Sequence, residues 1–381
     1  MRILLTILLV TLLYALPGMA RDPSMSANTL ETVPAPTEGV YGYRAEQIAS
    51  GVYALNQGNE FHIQPRGNVE VIEQANGVVL VDSGGSPDGA EQVIAFVSSL
   101  TDKPVTAIVI THWHGDHALG ISRLLEKWPQ ARVISTAATR DVLASADADR
   151  FMPGDNAEAN AVYHANIEGG VNYLRETSKN ATLDEAERAG FALAAREYEQ
   201  FGREMARAHR VPTTEVFDTS LLLADPTHPV EVKFAGRANT AGDAIAWLPQ
   251  QKIVITGDVV VLPVPYGFNS YPLEWIDVLR TIRDTGYGVL VPGHGRPLRD
   301  TVYIDLLISM LEDVRTQVAD MAMTDTDDVS SSKAVNLEAA SLELTGGDPW
   351  LNRWFLNYWK GPIVSSALRE ARGQPIIQGS N

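Results

Sequence analysis

Eight histidines are spread over 381 residues, yet three of them fall within His112-Trp113-His114-Gly115-Asp116-His117. Imidazole is a good neutral ligand for borderline divalent metals, and a carboxylate beside it supplies compensating charge. The preceding run PVTAIVIT (104–111) is almost continuously apolar, which predicts a strand buried on both faces. Alternation in an extended chain puts His112 and His114 on the same side. A turn at Gly115 then lets Asp116 and His117 face a point beside them. Three imidazoles and a carboxylate at the end of a buried strand predict a site for zinc or a similar ion. The chain has no cysteine, which removes thiolate ligands, thiolate nucleophiles, disulfides and iron–sulfur clusters. Any metal must be held by His, Asp, Glu, Asn or backbone oxygen.

The H-x-H-x-D-H string resembles the first motif of the metallo-β-lactamase superfamily, and the likeness extends over about residues 46–300. Asp82 in VDSGG (81–85) resembles the family's strand-ending aspartate. Gly236-Arg-Ala-Asn-Thr-Ala-Gly-Asp243 resembles its second loop motif, Thr256-Gly257-Asp258 its T-G-D, and Pro292-Gly293-His294-Gly295 its last ligand turn. The resemblance implies an α/β fold, an αβ/βα four-layer sandwich with metals at one edge. It implies Zn2+, one or two ions. His112 and His114 would hold the first metal; Asp116, His117 and His294 the second; Asp258 would bridge. Asp116 would be the catalytic residue that orients a water and relays its proton. One position departs from the family: Asn239 stands where a third first-site histidine is usual, and a neutral amide is a weaker zinc ligand than imidazole. Three readings follow: a hydrolase with one tightly held metal, a hydrolase with two metals and Asn239 as a poor ligand, or a non-catalytic metal- or ligand-binding member. The implied substrate is a small ester, lactone, thioester or amide, a β-lactam among the amides.

The elements that must position these residues alternate between strand and helix. GVYAL (51–55), VEVIEQ (69–74), GVVLVDSG (77–84) and ARVIST (131–136) read as strands, with helices at 88–100 and about 118–128. Residues 137–210 are rich in Ala, Glu, Arg and Asn and read as a helical insertion between two sheet halves. Thr182-Leu-Asp-Glu185 has the spacing of a capping box, with a helix running to about His209. Strands are expected again at 214–223, 230–235, 244–248, 252–256 and 288–291, with a helix at 273–284. Residues 301–381 form a helical extension whose aromatic cluster (Trp350, Trp354, Phe355, Tyr358, Trp359) reads as packing against the main body. Trp113, Tyr266, Phe268 and Tyr271 are candidate substrate contacts, because they lie in or close behind the ligand motifs.

Residues 1–20 have a lone Arg2, an apolar run and a small-residue end, the pattern of a secretory signal peptide. The run is too short for an ordinary membrane span, so a secreted or periplasmic chain without a stable membrane anchor is expected. Residues 21–45 read as a linker. The formal net charge of −17 repels phosphate backbones and argues against nucleic acid as a partner. The expected partner is a small-molecule substrate; the oligomeric state is left open.

Overall fold

The computed structural model describes residues 31–32 and 42–376, except 155 and 325. The expected signal peptide and most of the expected linker lie outside the described residues. One sheet has eight strands in chain order: β1 (Glu31–Thr32), β2 (Arg44–Ala49), β3 (Val52–Asn56), β4 (Val69–Glu73), β5 (Val78–Val81), β6 (Val105–Val109), β7 (Arg132–Thr136) and β8 (Glu215–Phe217). Pairing is antiparallel through β5 and parallel from β5 to β8. The second sheet has the order β13-β12-β11-β10-β9, from β9 (Ser220–Leu223), β10 (Val230–Phe234), β11 (Ala244–Leu248), β12 (Ile253–Ile255) and β13 (Val289–Val291).

The period-2 rule explains why the central strands are apolar at every position. In β5, Val79 and Val81 face the second sheet, whereas Val78 and Leu80 face the helices outside. In β12, Ile253 and Ile255 point between the sheets and Val254 points outward. The outer layer on the first sheet is α1 (Pro87–Leu100) and α3 (Ile121–Lys127), which follows the one-turn α2 (Gly115–Ala118). Ser86 caps α1 by accepting from the Gly89 N–H, and Pro87 opens it. The fold is the expected four-layer α/β sandwich.

The insertion comprises α4 (Ala137–Ala144), α5 (Ala157–Thr177) and α6 (Glu185–Met205). It interrupts the first sheet rather than separating the two, because β8 still pairs parallel to β7. The expected cap at Thr182 is displaced: Asp184 caps α6 by accepting from the Glu187 N–H at 2.7 Å, and Thr182 bonds to the Asn180 side chain. Asp184 is the stronger acceptor and also carries a Glu three residues on. Glu197, Gln200 and Glu204 recur along α6 and are buried. The two glutamates tie the insertion to the segment 62–66: Glu204 accepts from Arg66 at 2.6 Å, and Glu197 holds His62 at 2.6 Å and the Ile63 N–H at 3.2 Å.

On the second sheet the outer layer is α7 (Pro272–Asp284) and α8 (Val302–Ala322), joined by α12 (Gly361–Ala371). Between α8 and α12 run α9 (Asp328–Ala334), α10 (Glu338–Thr345), α11 (Pro349–Trp354) and a π-helical turn, Phe355–Lys360. Trp359 packs on Trp275 of α7 at 5.9 Å, while Trp354 stacks on Phe61 at 5.3 Å. Among the described residues no helix is long and apolar enough to cross a membrane.

Ile255, 1% exposed between the sheets, should lose about 2–5 kcal/mol of stability on truncation to alanine. Leu222, 57% exposed on β9, should change by no more than about 0.5 kcal/mol on the same truncation. Urea denaturation of both variants tests this; equal losses would contradict the layer assignment.

Candidate metal centre

Strand ends from both sheets converge on one point. His112 and His114 follow β6, Asp116 and His117 sit on α2, Asp258 lies in a 3-10 turn after β12, and His294 follows β13. Ligand atoms of Asp116, His117, Asp258 and His294 all lie within 4.8 Å of one another, and so do those of His112, His114 and Asp258. His117 Nε2 is 3.1 Å from Asp258 Oδ1 and 3.2 Å from His294 Nε2. His294 Nε2 is 3.0 Å from Asp116 Oδ2, and His112 Nε2 is 2.9 Å from His114 Nδ1. The spacing depends on glycine: a Cβ on Gly293 would lie 2.1 Å from Asp258 Oδ1, and one on Gly67 would lie 2.5 Å from the His117 ring.

Three observations fit a divalent cation. Asp258 is 1% exposed and neither of its oxygens receives a hydrogen bond. A buried carboxylate without donors is costly unless a charge compensates it. Ring nitrogens face one another and the carboxylates at short range, which suits shared cations. The donors are imidazole and carboxylate only, a set suited to zinc and its neighbours. His112, His114 and Asp258 would hold one ion; Asp116, His117, His294 and Asp258 the other.

The electrostatics point the same way. Burial, reinforced by the charge of His117, holds His112 down at about 4, so its lone pair is free. Burial also opposes charge on His117, but Asp258, Asp82 and Asp116 outweigh it and hold that imidazole well above its usual value. Burial would raise Asp116, yet His117 and His294 bring it down to about 2. In the metal-free protein the His117 proton therefore offsets part of the charge of the surrounding carboxylates.

Asp82 has a role that its motif only hinted at. It accepts from the Thr111 N–H and the Thr111 hydroxyl, each at 2.8 Å, and holds His117 Nδ1 at 2.7 Å. Its φ of 64° is left-handed, a conformation that costs roughly 1–3 kcal/mol for a side chain other than glycine. That strain aims a carboxylate at the back of a ligand, which turns His117 Nε2 toward the cluster.

A cleft of about 320 Å³ opens on the centre. His114, Asp116 and Asp258 form its polar end. Trp113 is both wall and packing: it lines the cleft, is 4% exposed, and stands edge-on to His114 at 4.5 Å. Tyr266 and Phe268 line the cleft, and Tyr266 also packs on His294 at 5.6 Å. Tyr271 is a correction. It is 6% exposed, does not line the cleft, and lies under the Arg237 guanidinium at 4.2 Å, because it precedes α7 and turns into the core. Asn239 is buried; its Nδ2 donates to the Tyr266 carbonyl at 3.2 Å and its Oδ1 has no hydrogen-bond partner. Sequence reasoning missed Ile63, Phe151, Tyr163, Phe201 and Tyr358 as lining residues. Only Tyr358 carried a signal, as a member of an aromatic cluster read as packing.

Residues 64–162 match the family described as "Metallo-beta-lactamase superfamily". This span contains the whole H-x-H-x-D-H motif. Over these residues the chain is similar to the metallo-β-lactamase superfamily. It is 24% identical over 266 residues to the linear primary-alkylsulfatase of Pseudomonas sp. (strain ATCC 19151), an alignment that covers 66% of this chain and 46% of that protein. The chain thus spans about half the length of this relative. It is 28% identical over 234 residues to the uncharacterized protein YobT of Bacillus subtilis (strain 168), covering 61% and 84%. A solved metallo-β-lactamase from Pontibacter korlensis aligns with TM-score 0.48 and 19% identity, over 71% of this chain and 99% of that one. The structure brings Asp116, His117, Asp258 and His294 together as one group of possible donors and His112, His114 and Asp258 as another.

Because His117 must lose its proton when a cation binds, zinc affinity should rise with pH up to the raised value of that imidazole. Titration calorimetry in buffers of different ionisation enthalpy should detect proton release; zero release would contradict the charge assignment. Asn239→His should increase zinc bound at the first site, read as metal per chain by elemental mass spectrometry. Unchanged stoichiometry and affinity would mean that position 239 does not face the metal.

Proposed function

We propose that this chain is an exported, zinc-dependent hydrolase that cleaves a small ester carrying an apolar group. The observation that carries this reading is the cleft: its polar end is the metal cluster, and Trp113, Leu119, Phe151, Phe201, Phe268 and Tyr358 supply an apolar body. Among the described residues no Lys or Arg lines it. A substrate with an anionic group remote from the reacting bond, as in β-lactam carboxylates, would find no cation in that lining. A neutral ester or lactone, or a sulfate ester whose charge lies on the reacting group itself, suits it better. The likeness to an alkylsulfatase supports the sulfate ester, although that alignment covers less than half of the relative.

His112, His114, Asp116, His117, Asp258 and His294 would hold a divalent cation, which when bound would lower the proton affinity of a water and polarise the substrate oxygen. The chain's own residues do the rest. Asp116 is a quarter exposed and faces the cleft. Held at about 2, it stays ionised at any working pH. It is therefore a weak base but a constant hydrogen-bond acceptor, suited to orienting a water and passing its proton on. The aromatic walls exclude bulk water and hold the apolar part of the substrate. The signal-peptide pattern of residues 1–20 supports export, and the net charge of −17 supports a partner other than nucleic acid.

A second reading is a non-catalytic binding member, favoured by the amide at Asn239. A panel of p-nitrophenyl esters, lactones, aryl and alkyl sulfates and a chromogenic β-lactam separates the two. The expected outcome is turnover of an apolar ester that is lost with chelator and restored by zinc. Asp116→Asn should lower kcat by about 10²–10⁴-fold. Silence of the zinc-loaded protein on the whole panel would put the binding member first.

A further inference from the structure

His294 sits in a turn outside the named helices and strands. A single β-bridge to Val261 and backbone bonds to Gly257, Val260 and Leu262 hold it on one side, and Asn68, next to the first sheet, holds it on the other. Asn68 is 2% exposed and immediately precedes β4. Its backbone N–H donates to the Gly293 carbonyl at 2.7 Å. Its Nδ2 donates to the Pro292 carbonyl and the Gly295 carbonyl, each at 2.8 Å. The three bonds bracket His294 on both sides. Because Nδ2 spends both hydrogens on carbonyls, the orientation of the amide is set and Oδ1 points away from the turn. The adjacent Gly67 N–H donates to the Asp116 carbonyl at 3.0 Å, so the same dipeptide grips ligand loops from both halves of the molecule.

A narrow chamber lies beneath the ring, lined in part by Gln57, Asn68 and His294. Asn68 Oδ1, Gln57 Nε2 and His294 Nδ1 are all buried and without a hydrogen-bond partner in the protein. An imidazole that offers Nε2 to a cation carries its proton on Nδ1. His117 and His112 have direct protein partners at Nδ1, in Asp82 and the Thr111 hydroxyl; the His294 Nδ1–H needs an acceptor. The chamber has about 10 Å³ of space, enough for about one water. A water there would accept from His294 Nδ1–H and Gln57 Nε2–H and would donate to Asn68 Oδ1. That would satisfy three otherwise orphaned groups, the usual number of bonds for a buried water.

We infer that Asn68 is a positioning residue for His294, acting through its bonds to the 292–295 turn and through one water held between Asn68 Oδ1 and His294 Nδ1. This rests on the reading of His294 as a metal ligand. The test is zinc affinity of the full chain, measured by competition with a chromophoric chelator, for wild type, Asn68→Ala and His294→Ala. Asn68→Ala should weaken the site that contains His294 by about 10–100-fold. His294→Ala should weaken it at least as much. If His294→Ala weakens binding and Asn68→Ala binds zinc as wild type does, the inference is overturned and the metal site stands. If His294→Ala binds as wild type, the metal reading fails and takes the inference with it. A loss of general packing alone would not move a second readout, the ¹⁵N-histidine spectrum of the zinc-loaded protein. The wild type should show a slowly exchanging Nδ1–H on His294, identified by its absence in His294→Ala, and Asn68→Ala should shift or lose it while the His117 signal stays. Should the alanine chain not fold, the wild-type spectrum carries the test: a His294 proton on Nε2 rather than Nδ1 overturns the inference.

Discussion

The burial of Asp258 is the constraint around which the molecule is arranged. A carboxylate at 1% exposure with no hydrogen-bond donor on either oxygen cannot persist unless positive charge stands beside it. Asp116 and Asp82 add two more carboxylates within reach of the same imidazole, His117. The cluster is therefore an anionic cage. Without metal the proton on His117 offsets part of that charge; a bound divalent cation would offset more of it. The convergence of five further side chains on Asp258 follows from this requirement.

Meeting that requirement takes strands from both halves of the sandwich. The donors come from the ends of β6, β12 and β13, brought together because the apolar inner faces of the two sheets are buried against each other. The precision comes from residues that touch the ligands from behind. Asp82 adopts a left-handed backbone to reach His117, Thr111 meets His112, and Asn68 clamps the turn of His294. Glycines at 67 and 293 permit approaches that a Cβ would forbid.

The insertion and the C-terminal helices turn this centre into a cleft. Glu197 and Glu204 on α6 are buried polar groups, and their hydrogen bonds to the segment 62–66 fix the insertion in place rather than leaving it to hydrophobic contact alone. Phe151, Tyr163 and Phe201 reach the cleft from that side, and Tyr358 from the π-helical turn opposite. A π-turn inserts one residue into the helical register, a device often found where a helix must aim a side chain at a site.

Much of the candidate site is legible along the chain. The H-x-H-x-D-H string is a local pattern: strand alternation and a glycine turn dictate which way its side chains face. Asp258 and His294 are legible only through the resemblance of their short motifs to those of a known family, and the alternation of apolar runs marks the layers of the sandwich. Thr182 misleads because two overlapping cap patterns compete and the stronger acceptor, Asp184, prevails. Tyr271 misleads because nearness in sequence to a ligand does not say which way a side chain turns at a helix start. The part of the cleft wall supplied by Ile63, Phe151, Tyr163 and Phe201, the pairing of Asp82 with His117 and the grip of Asn68 on residues 292–295 leave no local trace. Each joins segments from dozens to more than two hundred residues apart, and such contacts exist only once packing has brought the strands together. Periodicity and turn chemistry are properties of neighbouring residues and can be read along a chain; the geometry between distant segments is decided by burial of the core.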